Sequence, residues 1–418
     1  MTYQQTIHMP SATGGDTHFG DEDIFYSRTD ARGVIRAGND VFQRVSGFEW
    51  DDLLGVPHKV VRHEDMPRGL FHLYWRRMKA GKHTGAYVKN RTSSGRHYWV
   101  FSVASPIADG FVSVRIKPMG TMLPRIEALY AELLQDEAAG LTPEKSEQRL
   151  VQKLREMGFA SYDRFQAIQL NEELQARQGR LGRAPLDGAE TFRAMQDAYT
   201  TVEAETVDMA KVFEEVRTIP VNMRILASRL DDAGGPIDAI AINYGAMSAE
   251  MSAWLRAFSE GEKSVYAAIG KALWELSFLI GACAVQDEIA RVFAADRTAL
   301  PETVDRAEEA AILESLSVEY WSKVRVQLNL IAKSARTLED GITNMKRQII
   351  GLSSTRMMCK SESAILGKAG ETLTAIVAHL DSIQVQIETR LRKMNEMTQV
   401  ITGGARTLTA NAARSGRG

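Results

Sequence analysis

The chain is short of cysteine, proline and net charge, and each shortage excludes something. Its two cysteines in 418 residues, Cys283 and Cys359, are too few for a disulfide framework and indicate a reducing compartment. Neither lies in the first 282 residues, so chemistry there proceeds without a thiol. The formal net charge of −2 gives no electrostatic reason to expect nucleic acid or an anionic membrane as partner. No uninterrupted apolar run is long enough to suggest a membrane span. The most apolar stretch, Ala267 to Val285, carries Lys271 and Glu275 in its middle. A spanning helix needs roughly 20 residues with few or no charges, and charges inside a bilayer are costly. The stretch is expected to be a buried or partner-facing helix. The N-terminus has neither a basic segment nor an apolar core of the secretory kind, so a cytoplasmic chain is expected.

Enzyme signatures are missing as well. The sequence has no glycine-rich phosphate loop, dinucleotide fingerprint, zinc-protease helix motif, serine nucleophile elbow or kinase loops. No Cys/His spacing suggests structural zinc. Together these absences argue against the common catalytic classes.

What is present divides near Pro118. A 44% hydrophobic, 25% charged composition is that of a soluble globular protein, and the length calls for two or three domains. Residues 1–20 are polar and expected to be disordered. Residues 21–118 are punctuated by glycine and hold most of the aromatics. Residues 119–188 read as a helical linker, and 189–418 as a long-helix coiled-coil region.

Within 21–118 the pattern is α+β. Phe25–Asp30 and Val34–Ile35 read as two strands around a turn at Ala31-Arg32-Gly33. Helices are expected over Asn39–Ser46 and Pro67–Met78. Gly85–Asn90 and His97–Ser105 read as strands joined by Thr92-Ser93-Ser94-Gly95, which is good turn chemistry. Phe111–Ile116 completes a single antiparallel sheet with helices on one face.

Beyond it, apolar positions recur at alternating four and three. One seam runs Met195, Tyr199, Val202, Thr206, Met209, Phe213, Val216, Pro220, Met223, Ala227, Leu230. Asp231 to Pro236 breaks it with glycines and a proline suited to a helix end and a new start. A second seam follows: Ile237, Ile240, Tyr244, Met247, Met251, Trp254, Phe258. The pair predicts an antiparallel helical hairpin with Pro220 kinking its first arm. A third seam covers Val324 to Leu352 and a fourth Leu366 to Ile387, with Met394, Met397 and Ile401 beyond. They are in phase through Arg356, Cys359 and Ser363. One helix of about 80 residues, roughly 120 Å, is favoured over a hairpin turning near Ser353–Thr355.

The words of the N-terminal region are specific. Asn39-Asp40-Val41-Phe42, Ser46-Gly47-Phe48 and Gly55-Val56-Pro57-His58 lead to Val61-Arg62-His63-Glu64-Asp65-Met66-Pro67. Tyr74-Trp75, Val88-Lys89-Asn90-Arg91 and Gly95-Arg96-His97-Tyr98-Trp99-Val100 follow. This order resembles the PAS domain of bacterial aerotaxis receptors, which holds FAD non-covalently, over Phe25 to Lys117, about a quarter of the chain. The resemblance implies that Arg62, His63 and Asp65 contact flavin, that Trp75 and Asn90 line its pocket, and that Asn39 serves binding or signalling. Where the family often has a tryptophan before the Lys-Asn-Arg strand, this chain has Thr84. The residue types suit the task. A guanidinium pairs with pyrophosphate or carbonyl oxygens, an amide offers donor and acceptor to the flavin's pyrimidine edge, and an indole stacks on a flat ring.

With no cysteine in the domain, cysteinyl-flavin photochemistry is excluded and redox sensing is expected. The helix Leu123–Gln135 would respond as a two-state element. A haem-loaded PAS with His63 or His58 as axial ligand, or an empty PAS on a dimerisation scaffold, are the alternatives. Asn222–Ala227 through Gly234-Gly235 weakly resembles the tip of a methyl-accepting signalling hairpin, in degenerate form. A homodimer, and contact with chemotaxis kinase or coupling proteins, are the partners this implies.

Overall fold

The computed structural model describes residues 15–229, 234–261, 263–295, 298–366 and 371–415. The chain divides into two compact units, Met1–Asp187 with Trp274–Val324, and Gly188–Leu273 with Arg325–Gly418. The span 119–188, read as a linker, therefore falls almost entirely in the unit that holds the sheet, as does a later segment.

In the first unit the described residues form one antiparallel sheet of five strands, β1 (Ile24–Asp30), β2 (Ile35–Gly38), β3 (Thr84–Arg91), β4 (His97–Ile107) and β5 (Gly110–Ile116). Their order is β2-β1-β5-β4-β3. Between β2 and β3 come α1 (Asp40–Ser46), α2 (Trp50–Leu53), a 3₁₀ turn over His58–Val61 and α3 (Arg68–Lys79). Asn39 caps α1 by accepting from the Phe42 amide, and Gly47, at φ 67°, ends it in the left-handed conformation that glycine adopts without strain. This is the α+β arrangement the sequence predicts.

The N-terminal stretch differs from expectation. Residues 1–14 lie outside the described residues, but residues 15–20 are seated rather than disordered. The Thr17 amide donates to the His97 carbonyl at 2.7 Å. Phe19 is buried, edge-on to Phe25 at 5.2 Å. One aromatic side chain buries enough apolar surface to hold so short a segment.

Strand alternation gives the sheet two buried faces. Phe25, Tyr98 and Val100 turn inward with Ile35, Phe42 and Leu53 to form one core. The opposite face is covered by α4 (Leu123–Ala138), α6 (Tyr162–Arg180), the C-terminal part of α10 (Val265–Ala294) and the start of α11 (Arg306–Leu366), while α5 (Pro143–Glu156) packs on α3. The Tyr130 hydroxyl donates to the Tyr87 carbonyl at 3.0 Å. A Cβ on Gly85 would stand 2.8 Å from the Phe278 ring, so this strand glycine permits close helix approach. Tyr26 meets Phe293 edge-on at 5.0 Å.

At the head of α11, Glu309 is fully buried. It accepts from the Tyr26 hydroxyl and from Arg28 Nε at 2.9 and 3.0 Å. A buried carboxylate persists only when paired in this way.

The second unit is helical. It contains α7 (Ala189–Val216), α8 (Thr218–Ala227), α9 (Gly234–Ser259), the first residues of α10, most of α11, and α12 (Glu371–Ser415). The α7–α8 break falls at Arg217, three residues before Pro220, whose ring and missing N–H disrupt the preceding turn. The seams are buried: Met195, Val202, Met209, Phe213 and Met223 on the first, and Leu328 to Leu352 on the third. Leu230, Asp231 and Asp232, at the expected hairpin turn, lie outside the described residues.

The favoured single helix over the third and fourth seams is corrected to two. α11 ends at Leu366 and α12 begins at Glu371. They run antiparallel, since Ser363 meets Thr374 at 2.6 Å while Glu339, further back, meets Thr402 at 3.1 Å. A seam in phase across a turn looks the same in sequence as a continuous one, because each arm buries its own stripe.

Replacing Glu309 by alanine removes the only acid pairing with both Tyr26 and Arg28 among the described residues. The expected loss is about 3 kcal/mol, read by chemical denaturation of the full chain, with Glu309→Gln losing less. A loss below about 0.5 kcal/mol would mean that the contact behaves as an exposed pair.

Candidate functional site

The inner face of the sheet does not close completely. Between it, the 3₁₀ turn and α3 lies a cavity of about 340 Å³, within the range that takes small ligands. Four of the five strands contribute alternate residues: Ser27 and Thr29 from β1, Val88 and Asn90 from β3, Ser102 and Ala104 from β4, Phe111, Ser113 and Arg115 from β5. His58 comes from the turn, Arg62 from the residue that caps its end, and Tyr74, Trp75 and Met78 from α3.

Arg62 Nη2 donates to the Met66 carbonyl at 2.8 Å, and its guanidinium lies 3.9 Å over the Phe71 ring. Trp75 packs edge-on to Phe111 at 5.2 Å. Gly33, at φ 81°, leaves room for that indole, since a Cβ there would come within 3.0 Å of it. The Tyr74, Ser102 and Ser113 hydroxyls form a chain with steps of 2.9 and 3.0 Å.

The charge distribution is one-sided. Arg32, Lys59, Arg62 and Arg115 line the cavity, and no carboxylate does so among the described residues. Arg115 is 3% exposed. Its Nη2 donates to Ser27 Oγ at 2.7 Å and to His58 Nε2 at 2.6 Å, while its Nη1 is buried without a partner. A guanidinium at this depth normally has a carboxylate beside it. Burial, and then the Arg115 charge, hold the His58 pKa down at about 3, so His58 is neutral and accepts.

Of the residues singled out in the sequence, the structure brings Arg62, Trp75 and Asn90 together around the cavity. It places Asn39, His63 and Asp65 outside the cavity lining. Asn39 is fully buried and ties the frame. Its Oδ1 accepts from the Tyr26 amide at 2.9 Å, and its Nδ2 donates to the Ile24 carbonyl at 2.9 Å. Asp65 pairs with Lys89 at 2.6 Å, and the His63 amide donates to the Lys89 carbonyl at 3.3 Å. Both brace the strand position next to Asn90. Sequence reasoning missed Arg115, Ser27 and the hydroxyl chain. The usable signal was the period of two along β5, which puts Phe111, Ser113 and Arg115 on one face.

Of the two histidines considered as haem ligands, His63 does not line the cavity. His58 lines it, but its Nε2 is occupied by Arg115.

This geometry, a five-stranded antiparallel sheet with a ligand-sized cavity under its inner face, defines the class, and residues 36–114 match the PAS fold. The chain thus carries an N-terminal PAS domain. It is 36% identical over 129 residues to the aerotaxis receptor of Escherichia coli, a match covering 30% of this chain and 26% of that protein. It is 30% identical over 87 residues to the biofilm dispersion protein BdlA of Pseudomonas aeruginosa, covering 19% and 20%. The chain thus spans only about a quarter and a fifth of the lengths of these curated relatives. Neither is named for a catalytic activity.

Buried neutral histidines make stability depend on pH. His58 and His83 are both held at about 3, by burial first and then by Arg115 and Lys323 respectively. The unfolded chain protonates them near pH 6.5. Their contribution is therefore complete above about pH 6.5 and is lost as pH falls toward about 3. The melting temperature should fall through this window, and less steeply in His58→Gln. An unchanged slope in that variant would contradict a buried neutral His58.

Proposed function

We propose that the chain is a signal transducer of the aerotaxis or chemotaxis kind that holds FAD in its PAS cavity and responds to the redox state of that cofactor. The observation that carries this reading is the cavity's chemistry: four cations, of which Arg32 pairs with Asp30 outside the lining, no lining carboxylate among the described residues, and flat aromatic walls. FAD brings a flat ring system and a pyrophosphate. A cavity of about 340 Å³ suits the ring system better than the whole dinucleotide. The phosphates would then lie toward Arg32 and Lys59, the cavity's more exposed cations. Cations and aromatic surface together are the complement such a ligand needs. Resemblance to an aerotaxis receptor over the same residues supports the same ligand class. FAD, when bound, supplies reversible electron uptake.

The chain's own residues hold and read the ligand. Asn90 offers donor and acceptor to a ring edge, Trp75 offers an apolar face, and Arg62 offers charge near the mouth. Asn39, His63 and Asp65 act by fixing the strands and turn that carry these groups. Ser27 and Thr29 face the cavity on β1, while Tyr26 and Arg28, on the opposite face of the same strand, hold Glu309 of α11. A change in the cavity that shifts β1 thus has a direct contact through which to bias α11, a more immediate route than the expected one through Leu123–Gln135.

Output by protein–protein contact, without catalysis, fits the helical second unit. Ile350, Met357 and Ile365 stand 69%, 64% and 74% exposed at near-heptad spacing on α11. They support pairing with a second copy or with a helix of a chemotaxis kinase or coupling protein. A cytoplasmic location is part of the proposal. Helix Val265–Ala294 is long and apolar enough to cross a membrane, but 67% of its most apolar window is buried within the protein, and Lys271 and Glu275 are exposed.

The purified full chain should show the double visible band of a flavin, with FAD released on denaturation. Arg62→Ala and Asn90→Ala should each weaken FAD binding by about tenfold, the scale of one lost charge-assisted or buried hydrogen bond. A Soret band would replace flavin with haem. A colourless protein that stays colourless after incubation with FAD would end the flavin reading.

A further inference from the structure

The cavity wall carries hydroxyl groups at three neighbouring positions where apolar side chains would close a core. Tyr74 comes from α3, Ser102 from β4 and Ser113 from β5. Tyr74 and Ser102 are buried and Ser113 is half-buried, so the Ser113 end is the more open one. The Tyr74 hydroxyl lies 2.9 Å from Ser102 Oγ, which lies 3.0 Å from Ser113 Oγ. Among the described residues these three hydroxyls bond only to one another. Each has one proton to donate and two lone pairs to accept with. Two links use two of the three protons, so the third is free at one end of the chain. Which end it occupies depends on the direction in which the links run. Burial pushes the Tyr74 phenol up, so its proton stays in place. No charged group ends the chain and fixes its direction, and linked hydroxyls polarise one another, so the three turn over together. The lining arginines and Lys59, by contrast, can only donate.

We propose that Tyr74, Ser102 and Ser113 form a reversible polar subsite for a ring nitrogen of a flat ligand. The chain donates to that nitrogen when it is bare and accepts from it once it carries a proton. This rests on the reading of the cavity as a ring-ligand site and deepens it, because it names the ligand atom that meets this wall and the change it undergoes. A fixed donor here would leave an N–H facing an N–H or O–H in one of the two forms, and a buried donor without an acceptor is costly. A chain that reverses satisfies both forms, so ligand protonation is matched by a reversal of hydrogen bonds that span α3, β4 and β5.

The test uses three flat neutral probes of similar size. Quinoline carries a bare ring nitrogen, indole an N–H, and naphthalene neither. Cofactor-stripped full chain is titrated with each by calorimetry at alkaline pH, as wild type and as the Ser102→Ala/Ser113→Ala variant. Relative to naphthalene, quinoline and indole should each bind about fivefold more weakly to the variant, the scale of one neutral hydrogen bond. Tyr74→Phe, which leaves the two serines linked, should keep most of the wild-type ratio for both probes. Ratios that are unchanged in the double variant overturn the subsite. A fall for quinoline alone, or for indole alone, overturns its reversibility, since a fixed donor or acceptor would give that result. Wild type that binds none of the three probes overturns the subsite whether or not the variants fold. FAD titration of the same preparations gives an independent answer. FAD binding with unchanged probe ratios would leave the flavin reading standing and remove the subsite. Altered ratios for both probes without FAD binding would do the reverse.

Discussion

Everything in the first unit depends on one constraint: a five-stranded sheet with both faces buried. Strand alternation sends every other residue to a different environment. On β1 this puts Ser27 and Thr29 at the cavity and Tyr26 and Arg28 against Glu309. On β4 it puts Ser102 and Ala104 at the cavity, while Ser105 meets the Tyr320 hydroxyl on the far side. The same strands therefore line the ligand site and carry the helices, with one backbone between the two. A slip of one residue would exchange the two sets. The sheet can shift only as a unit, which makes it suited to passing on a change rather than absorbing it.

Charge follows the same division. On the outer face the buried charges find partners: Glu309 pairs with Arg28, Arg177 with Glu288, and Glu173 accepts from the Tyr87 hydroxyl and the Met119 and Gly120 amides. On the inner face the buried guanidinium of Arg115 has only neutral partners and keeps one nitrogen without any. Buried polar groups in folded proteins are normally satisfied, so an unmatched one in a cavity indicates where a ligand belongs. The second unit is simpler in kind. Its seams bury apolar stripes, and at their margin half-buried Glu205 of α7 pairs with half-buried Arg390 and exposed Lys393 of α12.

Much of this was legible in the sequence. The strands, the hairpin turn at Thr92–Gly95 and the four seams follow from period two and period 3.5 patterns, and the PAS fold followed from ordered motifs. Three features were not legible, each for a physical reason. Asn39 carries a motif position, yet both ends of its amide serve backbone groups on β1, a use that depends on a contact across the sheet. Arg115 carries no motif, and only the central position of β5, between β1 and β4, shows it turned toward the cavity. The cover supplied by residues 274–324 returns from far along the chain, and composition alone does not show which sheet face a distant helix protects. The heptad phase runs on from α11 into α12, so phase could not reveal that they are two antiparallel helices.

The central claim is that the state of the cavity is felt at α11 through β1. Hydrogen–deuterium exchange of the FAD-loaded full chain, oxidised against dithionite-reduced, tests it most directly. The account predicts that amide protection changes together in peptides covering Ile24–Asp30 and Arg306–Val324. A change confined to the cavity segments around His58–Val61 and Thr84–Arg91, with Arg306–Val324 unaltered, would contradict it.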